Sequence, residues 1–292
     1  RRFEAVEVMV AEGHAVAVCT RECCVSSSGF YAWKRRSPSK RAIRHTWLTD
    51  LIVMIHADSR GTYGGRRVHA ELTIGRGIPV GYEAVATLMR RAGIQGLPGN
   101  RNRRRKAPST PTASDLVDRN FDRSEPDQLW VTDITEHRTR EGKLYCCVVI
   151  DTFSRRVVGW SIDSTQTSTL VTNALGMAIS NRQPEPGSGL IIHSDQGVQF
   201  TSWAFTRRAR QSGLLPSMGS VGDCFDNAVI ESFWARLQVE VLNRKRWRTR
   251  VELANAIFEY LEIFHNRQRR HSAIGMLTPI EYETLQTRQS VA

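Results

Sequence analysis

The run KLYCCVVID, residues 143–151, constrains the fold of this chain more than any other stretch. An uninterrupted apolar run of that length reads as a central strand covered on both faces. The segments around it supply its neighbours. LWVTDITEHRT (129–139) reads as a strand, with Leu129, Val131 and Asp133 on one face and Trp130, Thr132 and Ile134 on the other. After a turn at Glu141 and Gly142 come KLYCCVVID and then a third strand, SRRVVGWSI. Leu170, Ala174, Leu175, Met177 and Ala178 mark a helix, and the loop RQPEPGSG leads to a short strand at Leu190–Ile192. A helix over 200–213 and the strand-like LLPSMGS follow. Asp226 and Asn227 then form an N-cap pair before a helix whose apolar stripe is Ile230, Phe233, Trp234, Leu237 and Val241. This order predicts an α/β domain: a mixed five-stranded sheet with helices on both faces.

Three carboxylates occupy special places in that order. Asp133 lies on a strand face otherwise made of Leu and Val, which is costly unless the carboxylate meets a cation or hydrogen-bond donors. Asp195 sits in the glycine-containing turn after the Leu190 strand, and Glu231 lies near the start of the helix that follows Asn227. Sixty-one residues separate Asp133 from Asp195, and 35 separate Asp195 from Glu231. Acids delivered by two strands and a helix suit two Mg²⁺ or Mn²⁺ ions roughly 4 Å apart across a scissile phosphate. Asp133 is best placed to bridge both ions, with Asp195 and Glu231 on either side. For a single carboxylate the commoner role is a cap or salt bridge, and Asp151, Asp163, Asp223 and Asp226 read that way.

Charge separates the chain into two parts. The net charge is +12, yet residues 1–132 carry 22 Lys+Arg against 13 Asp+Glu and the other 160 carry 19 against 16. A basic excess of this size calls for a polyanionic partner, and without a membrane span or signal peptide that partner is nucleic acid. Residues 3–20 read as helical, and SSSGFYAWKRR (26–36) reads either as the end of a small DNA-binding unit or as a solvated basic helix end. From residue 47 to 93 three helical patterns are broken by glycine turns, with Arg66, Arg67, Arg90 and Arg91 at the junctions. They predict a helix-turn-helix-like DNA-binding domain, the alternative being a small α bundle with charged edges. GLPGNRNRRRKAPSTPTASDLV is a linker in which Arg101, Arg103, Arg104, Arg105 and Lys106 can neutralise backbone phosphates. The predicted divisions are thus a helical segment 1–46, a helix-turn-helix-like domain 47–95, a basic linker 96–125, a catalytic core 126–245 and a C-terminal helical extension 246–292. The extension opens with an amphipathic helix over 251–264. Six scattered cysteines, Cys19, Cys23, Cys24, Cys146, Cys147 and Cys224, suit a reducing cytosol and lack a paired zinc-ligand spacing, so the expected location is cytoplasmic, at the nucleoid.

Five motifs in order, WVTDIT, EGKLYCCVVIDTFSRRVVGW, IIHSDQGVQFTS, DNAVIESFWARLQVE and FHNRQRRHSAIGMLTP, resemble the OrfB subunit of bacterial insertion-sequence transposases of the insertion-sequence-three group. The resemblance runs from about residue 47 to 282. It implies a DDE transposase of the retroviral-integrase superfamily with an RNase H-like core, in which Asp133, Asp195 and Glu231 are the catalytic acids. It implies double-stranded DNA, both transposon ends and target, as substrate. It further implies that water frees a 3′-hydroxyl at a transposon end, that this hydroxyl attacks a second phosphodiester, and that one end first joins the other to give a circle. Homo-oligomers and an OrfA partner, or an OrfAB fusion made by frameshifting, belong to the same picture, and a chain that begins at Arg1 is expected to be a processed, fused or truncated product. Two positions depart from the pattern: Gln238 stands where a basic DNA contact is frequent, and Gln196 where arginine is frequent. The rival readings are an RNase H-type nuclease without strand transfer and a non-catalytic DNA-binding relic or repressor.

Overall fold

The computed structural model describes residues 1–97, 123–195, 197–218 and 228–291. The chain divides into two compact units, Arg1–Val53 and Met54–Ala292.

The first unit holds three short helices, α1 (Arg2–Ala11), α2 (Val16–Glu22) and α3 (Ser27–Arg35), and the first part of α4 (Lys40–Asp58). Its small core is Val6, Cys19 and Phe30, with Phe3 and Trp33 packed against them. The continuous helix expected over 3–20 is in fact two helices. Gly13 adopts a φ of +98°, which breaks the hydrogen-bond ladder between α1 and α2. Ser26 caps α3 by accepting from the Gly29 N–H. α4 begins at Lys40 and runs unbroken through residues 46 and 47, so the boundary expected there falls inside a helix.

The second unit continues with α5 (Gly65–Ala70), which widens into π-type turns over Glu71–Gly75, and α6 (Tyr82–Arg91). The sheet follows: β1 (Leu129–Thr139), β2 (Gly142–Asp151), β3 (Val157–Asp163), β4 (Ile191–Ser194) and β5 (Leu215–Met218). The strand order is β3-β2-β1-β4-β5, with β1, β2 and β3 antiparallel and β4 and β5 parallel to β1. An antiparallel three-stranded meander extended by two parallel strands is the RNase H-like arrangement.

The two sheet faces follow from the alternation along β1. Trp130 joins Cys147, Val149, Val158 and Ile192 in a core closed by α7 (Ser168–Arg182) and α8 (Trp203–Gln211), with Ile134 against it. Gly159 permits close packing here, because a Cβ would meet the Ala174 carbonyl oxygen at 2.3 Å. The opposite face carries Asp133 and is covered by α9 (Ala228–Glu240), whose predicted apolar stripe is buried from Ile230 to Val241. α10 (Arg250–Phe258), a π-type continuation over Glu259–His265 and α11 (Pro279–Val291) complete the unit.

The C-terminal segment is fastened into the core by buried charge. Glu240, at the end of α9, accepts from Arg269 Nε and Nη2 at 2.8 Å each and from the Tyr260 hydroxyl at 2.9 Å. Glu283 on α11 pairs with Arg156 at 2.6 Å and with Arg182, which also reaches Asp151 at 3.2 Å. Asp151 was expected at the surface or as a cap. It is fully buried and accepts the backbone N–H groups of Asp127 and Phe153, so it organises the turn after β2 from inside. Asp163 does cap, accepting from the Thr165 N–H at 3.0 Å. Asp223, Asp226 and Asn227 lie outside the described residues.

Candidate active site

Asp133 and Asp195 are brought together by strand register. β1 and β4 pair in parallel as far as Val131 opposite His193; Asp133 lies two residues further along β1 and Asp195 follows the last residue of β4, close enough for the charge of Asp195 to act on the Asp133 carboxyl. Asp195 is exposed, and its Oδ1 accepts from the Gly197 N–H at 3.0 Å, the local turn that a glycine-containing exit from a strand permits. The third acid arrives on α9. Trp234 on that helix donates its indole N–H to Asp133 Oδ2 at 2.9 Å. Glu231 lies three residues earlier, on the same side of the helix, and is exposed.

Both oxygens of Asp133 are therefore held, Oδ1 by the Ile134 N–H at 2.7 Å and Oδ2 by Trp234. Its carboxyl is pushed up to about 6, by burial first and also by the charges of Asp195 and Glu231, with those two donors pulling the other way. Burial also raises the Glu231 carboxyl. The electrostatics record a partly desolvated carboxylate in the field of two others, a state that a cation would relieve. The donors are all carboxylate oxygens, the set that hard divalent cations prefer. Among the described residues no three His, Cys, Asp or Glu side chains converge closely enough to hold one ion as they stand. Asp133 is fixed by its two donors, whereas Asp195 and Glu231 are exposed. The neighbouring thiol of Cys147 is pushed up to about 12 by burial, which removes it as a nucleophile at neutral pH.

Trp234 is the residue that sequence reasoning missed. It belongs to the apolar stripe and is buried, so it reads as core; the clue was its position one helical turn from Glu231 together with its single polar atom. The residues expected to contact DNA are scattered in their fates. Arg66, Arg90, Arg91 and Gln238 are exposed. Arg67 is turned inward: its Nε donates to the Arg270 carbonyl at 3.1 Å, its Nη1 lies 3.8 Å from Glu240 and its guanidinium sits over the Tyr63 ring. Arg101, Arg103, Arg104, Arg105 and Lys106 lie outside the described residues, as does Gln196.

An Integrase core domain model matches residues 123–224, a second model of that description matches 212–279, and an HTH-like domain model matches 44–105. The chain is 34% identical over 289 residues to Transposase InsF for insertion sequence IS3A of Escherichia coli (strain K12), covering 97% of this chain and 98% of that one. It belongs to the IS3 family of insertion-sequence transposases. With the transposase for insertion sequence element IS629 of Shigella sonnei, this transposase shares 36% identity, covering 93% of its own length and 92% of the relative's. Among solved structures, the HTLV-2 integrase catalytic core domain in complex with magnesium aligns with a TM-score of 0.41 at 22% identity, over 55% of this chain and 97% of that one. The catalytic core domain of BIV integrase aligns with a TM-score of 0.39 at 20% identity, over 57% and 99%. Family membership places the transposase in DNA transposition and integration. No helix among the described residues is long and apolar enough to cross a membrane.

Proposed function

We propose that this transposase cuts and rejoins DNA strands at the ends of an insertion sequence, with Asp133, Asp195 and Glu231 as its catalytic acids. The observation that supports the reading is the placement of Asp133: on the strand that pairs with the one leading to Asp195, hydrogen-bonded to the helix of Glu231, and electrostatically burdened by both acids. The three acids would hold two Mg²⁺ or Mn²⁺ ions, which supply Lewis acidity at the attacking and leaving oxygens of the scissile phosphate. Asp133, fixed on the central strand by two donors, provides the rigid member of the set. Asp195, just after β4, and Glu231, in the first turn of α9, would complete the set from two other elements. Water, and then the 3′-hydroxyl it frees, are the nucleophiles, so no side chain needs to form a covalent bond to DNA.

The partner is double-stranded DNA, with the excess positive charge of residues 1–132 neutralising phosphates. Association as a homo-oligomer, and with an OrfA subunit or as its fusion, follows the family. The test is a product assay with the full chain, Mg²⁺ and a labelled duplex ending in the element's own terminus. A strand longer than the input establishes joining. Cleavage without joined product on any duplex assigns the RNase H-type nuclease reading, and DNA binding without either product assigns the repressor reading.

A further inference from the structure

We infer that the far end of β1 and the segment after α9 form a groove for the DNA phosphate backbone, separate from the acids. This rests on the proposed action on DNA and adds a site to it. His137, Arg138, Thr139 and Arg140 form one wall, and Leu242, Asn243, Lys245, Arg246 and Trp247 the other, around about 450 Å³. Among the described residues four cations line it, and no carboxylate does.

The groove is held open by its own framework. The Arg140 N–H donates to the Trp247 carbonyl at 3.1 Å, tying the hairpin to the post-α9 segment. Trp247 is buried, its indole N–H donates to the Leu242 carbonyl at 2.9 Å, and Lys245 lies over its ring at 4.5 Å. The acids nearby are already engaged. Glu252 takes Lys245 Nζ at 2.6 Å and the Arg248 N–H, Glu136 takes Lys143, and Glu141 takes the Arg250 N–H. Among the described residues no carboxylate forms an ion pair with Arg138, Arg140 or Arg246, and all three side chains are exposed. Exposed, uncompensated guanidinium groups beside a rigid floor suit phosphate oxygens.

Position favours duplex DNA over another polyanion. The groove lies along the strand that carries Asp133, four to seven residues further on. At ~3.3 Å per strand residue that is roughly 13–23 Å. With ~3.4 Å per base pair it corresponds to roughly 4–7 base pairs from the phosphate under attack. A duplex entering the acids therefore has backbone available to the groove about half a helical turn away. Contacts of this kind position the duplex and carry no sequence information.

The experiment compares the full-length parent with Arg140→Ala/Arg246→Ala, both checked by circular dichroism, using a terminal duplex and a scrambled duplex of equal length. Binding is read by fluorescence anisotropy from 0.05 to 0.3 M salt, and phosphate contacts by ethylation interference. The variant is expected to bind both duplexes roughly 10- to 60-fold more weakly at about 0.1 M salt, about eightfold per lost contact, with the salt slope reduced by about 1.8. Interference should vanish only at phosphates roughly 4–7 base pairs from the joined end. An unchanged slope and interference pattern in the variant overturns the groove while leaving the DNA reading standing. A parent that binds neither duplex overturns both. A loss confined to the terminal duplex overturns the non-specific role.

Discussion

Replacing Trp234 by Phe tests how the central acid is set up. The substitution keeps a ring in the buried stripe and removes one donor, the indole N–H that meets Asp133 Oδ2 at 2.9 Å. A hydrogen bond to a charged acceptor contributes about 1.5–3 kcal/mol, equivalent to roughly 10- to 150-fold in an equilibrium constant. Here the bond favours the ionised carboxyl, which burial and the charges of Asp195 and Glu231 have already pushed up to about 6. Without it the carboxyl rises further, and protons compete more strongly with a divalent cation for Asp133. Calorimetric titration of Mn²⁺ into the full-length variant is therefore expected to show affinity roughly 4- to 40-fold below the parent at pH 6.5. The deficit should narrow by pH 8.5, where the carboxylate is ionised in both. The donor also orients the oxygen, so part of the deficit should persist at high pH. Equal affinity of parent and variant at both pH values, with the fold intact by near-ultraviolet circular dichroism, would refute the reasoning.

The buried pair of Glu240 and Arg269 makes a second prediction: Glu240→Gln leaves a buried guanidinium uncompensated and should cost roughly 3–5 kcal/mol in denaturant unfolding, whereas replacing both partners by Leu and Met should recover most of it. Burial raises the Glu240 carboxyl, but the hydrogen bonds and charge of Arg269 outweigh it and hold it below the ordinary value. Its stabilisation is thus present above the unfolded pKa, about 4.3, and lost as pH falls through the lower folded one. The parent's advantage over Glu240→Gln should shrink below about pH 4. Arg67→Ala, since that guanidinium is tied to Arg270 and Glu240, should lower unfolding stability with little change in the salt slope of DNA binding, and Arg90→Ala/Arg91→Ala should do the reverse. An Arg67→Ala protein of parental stability and weakened DNA binding would refute that division.

Much of the core was legible because its signals are local. The apolar run at β2, the alternation along β1 and the stripe on α9 each fix an element from within, and the three acids stood out against those patterns. What was hidden depends on partners distant in sequence. Arg67 looked like a junction arginine because Glu240 and Arg270 lie far along the chain. Arg269 and Arg270 read as a basic run before a turn, yet both are buried, Arg270 against Glu71 at 2.9 Å. The break between α1 and α2 was masked because VEVMVAEGHAVAV keeps its apolar character across Gly13, and a left-handed φ leaves no trace in hydropathy. Trp234 was counted with the core because an indole is mostly apolar surface, and its one donor matters only once Asp133 lies beneath it.

The most direct measurement exchanges the three acids one at a time. Asp133→Asn, Asp195→Asn and Glu231→Gln, with Asp163→Asn as the bystander carboxylate, would be assayed for strand joining in Mg²⁺ and for duplex binding. Each of the three should lose joining by at least a thousandfold, on the order of the ~4 kcal/mol carried by a principal electrostatic group in catalysis, with binding within a few-fold of the parent. Asp163→Asn should join normally. A variant of any of the three acids that joins ends at the parent's rate contradicts the account.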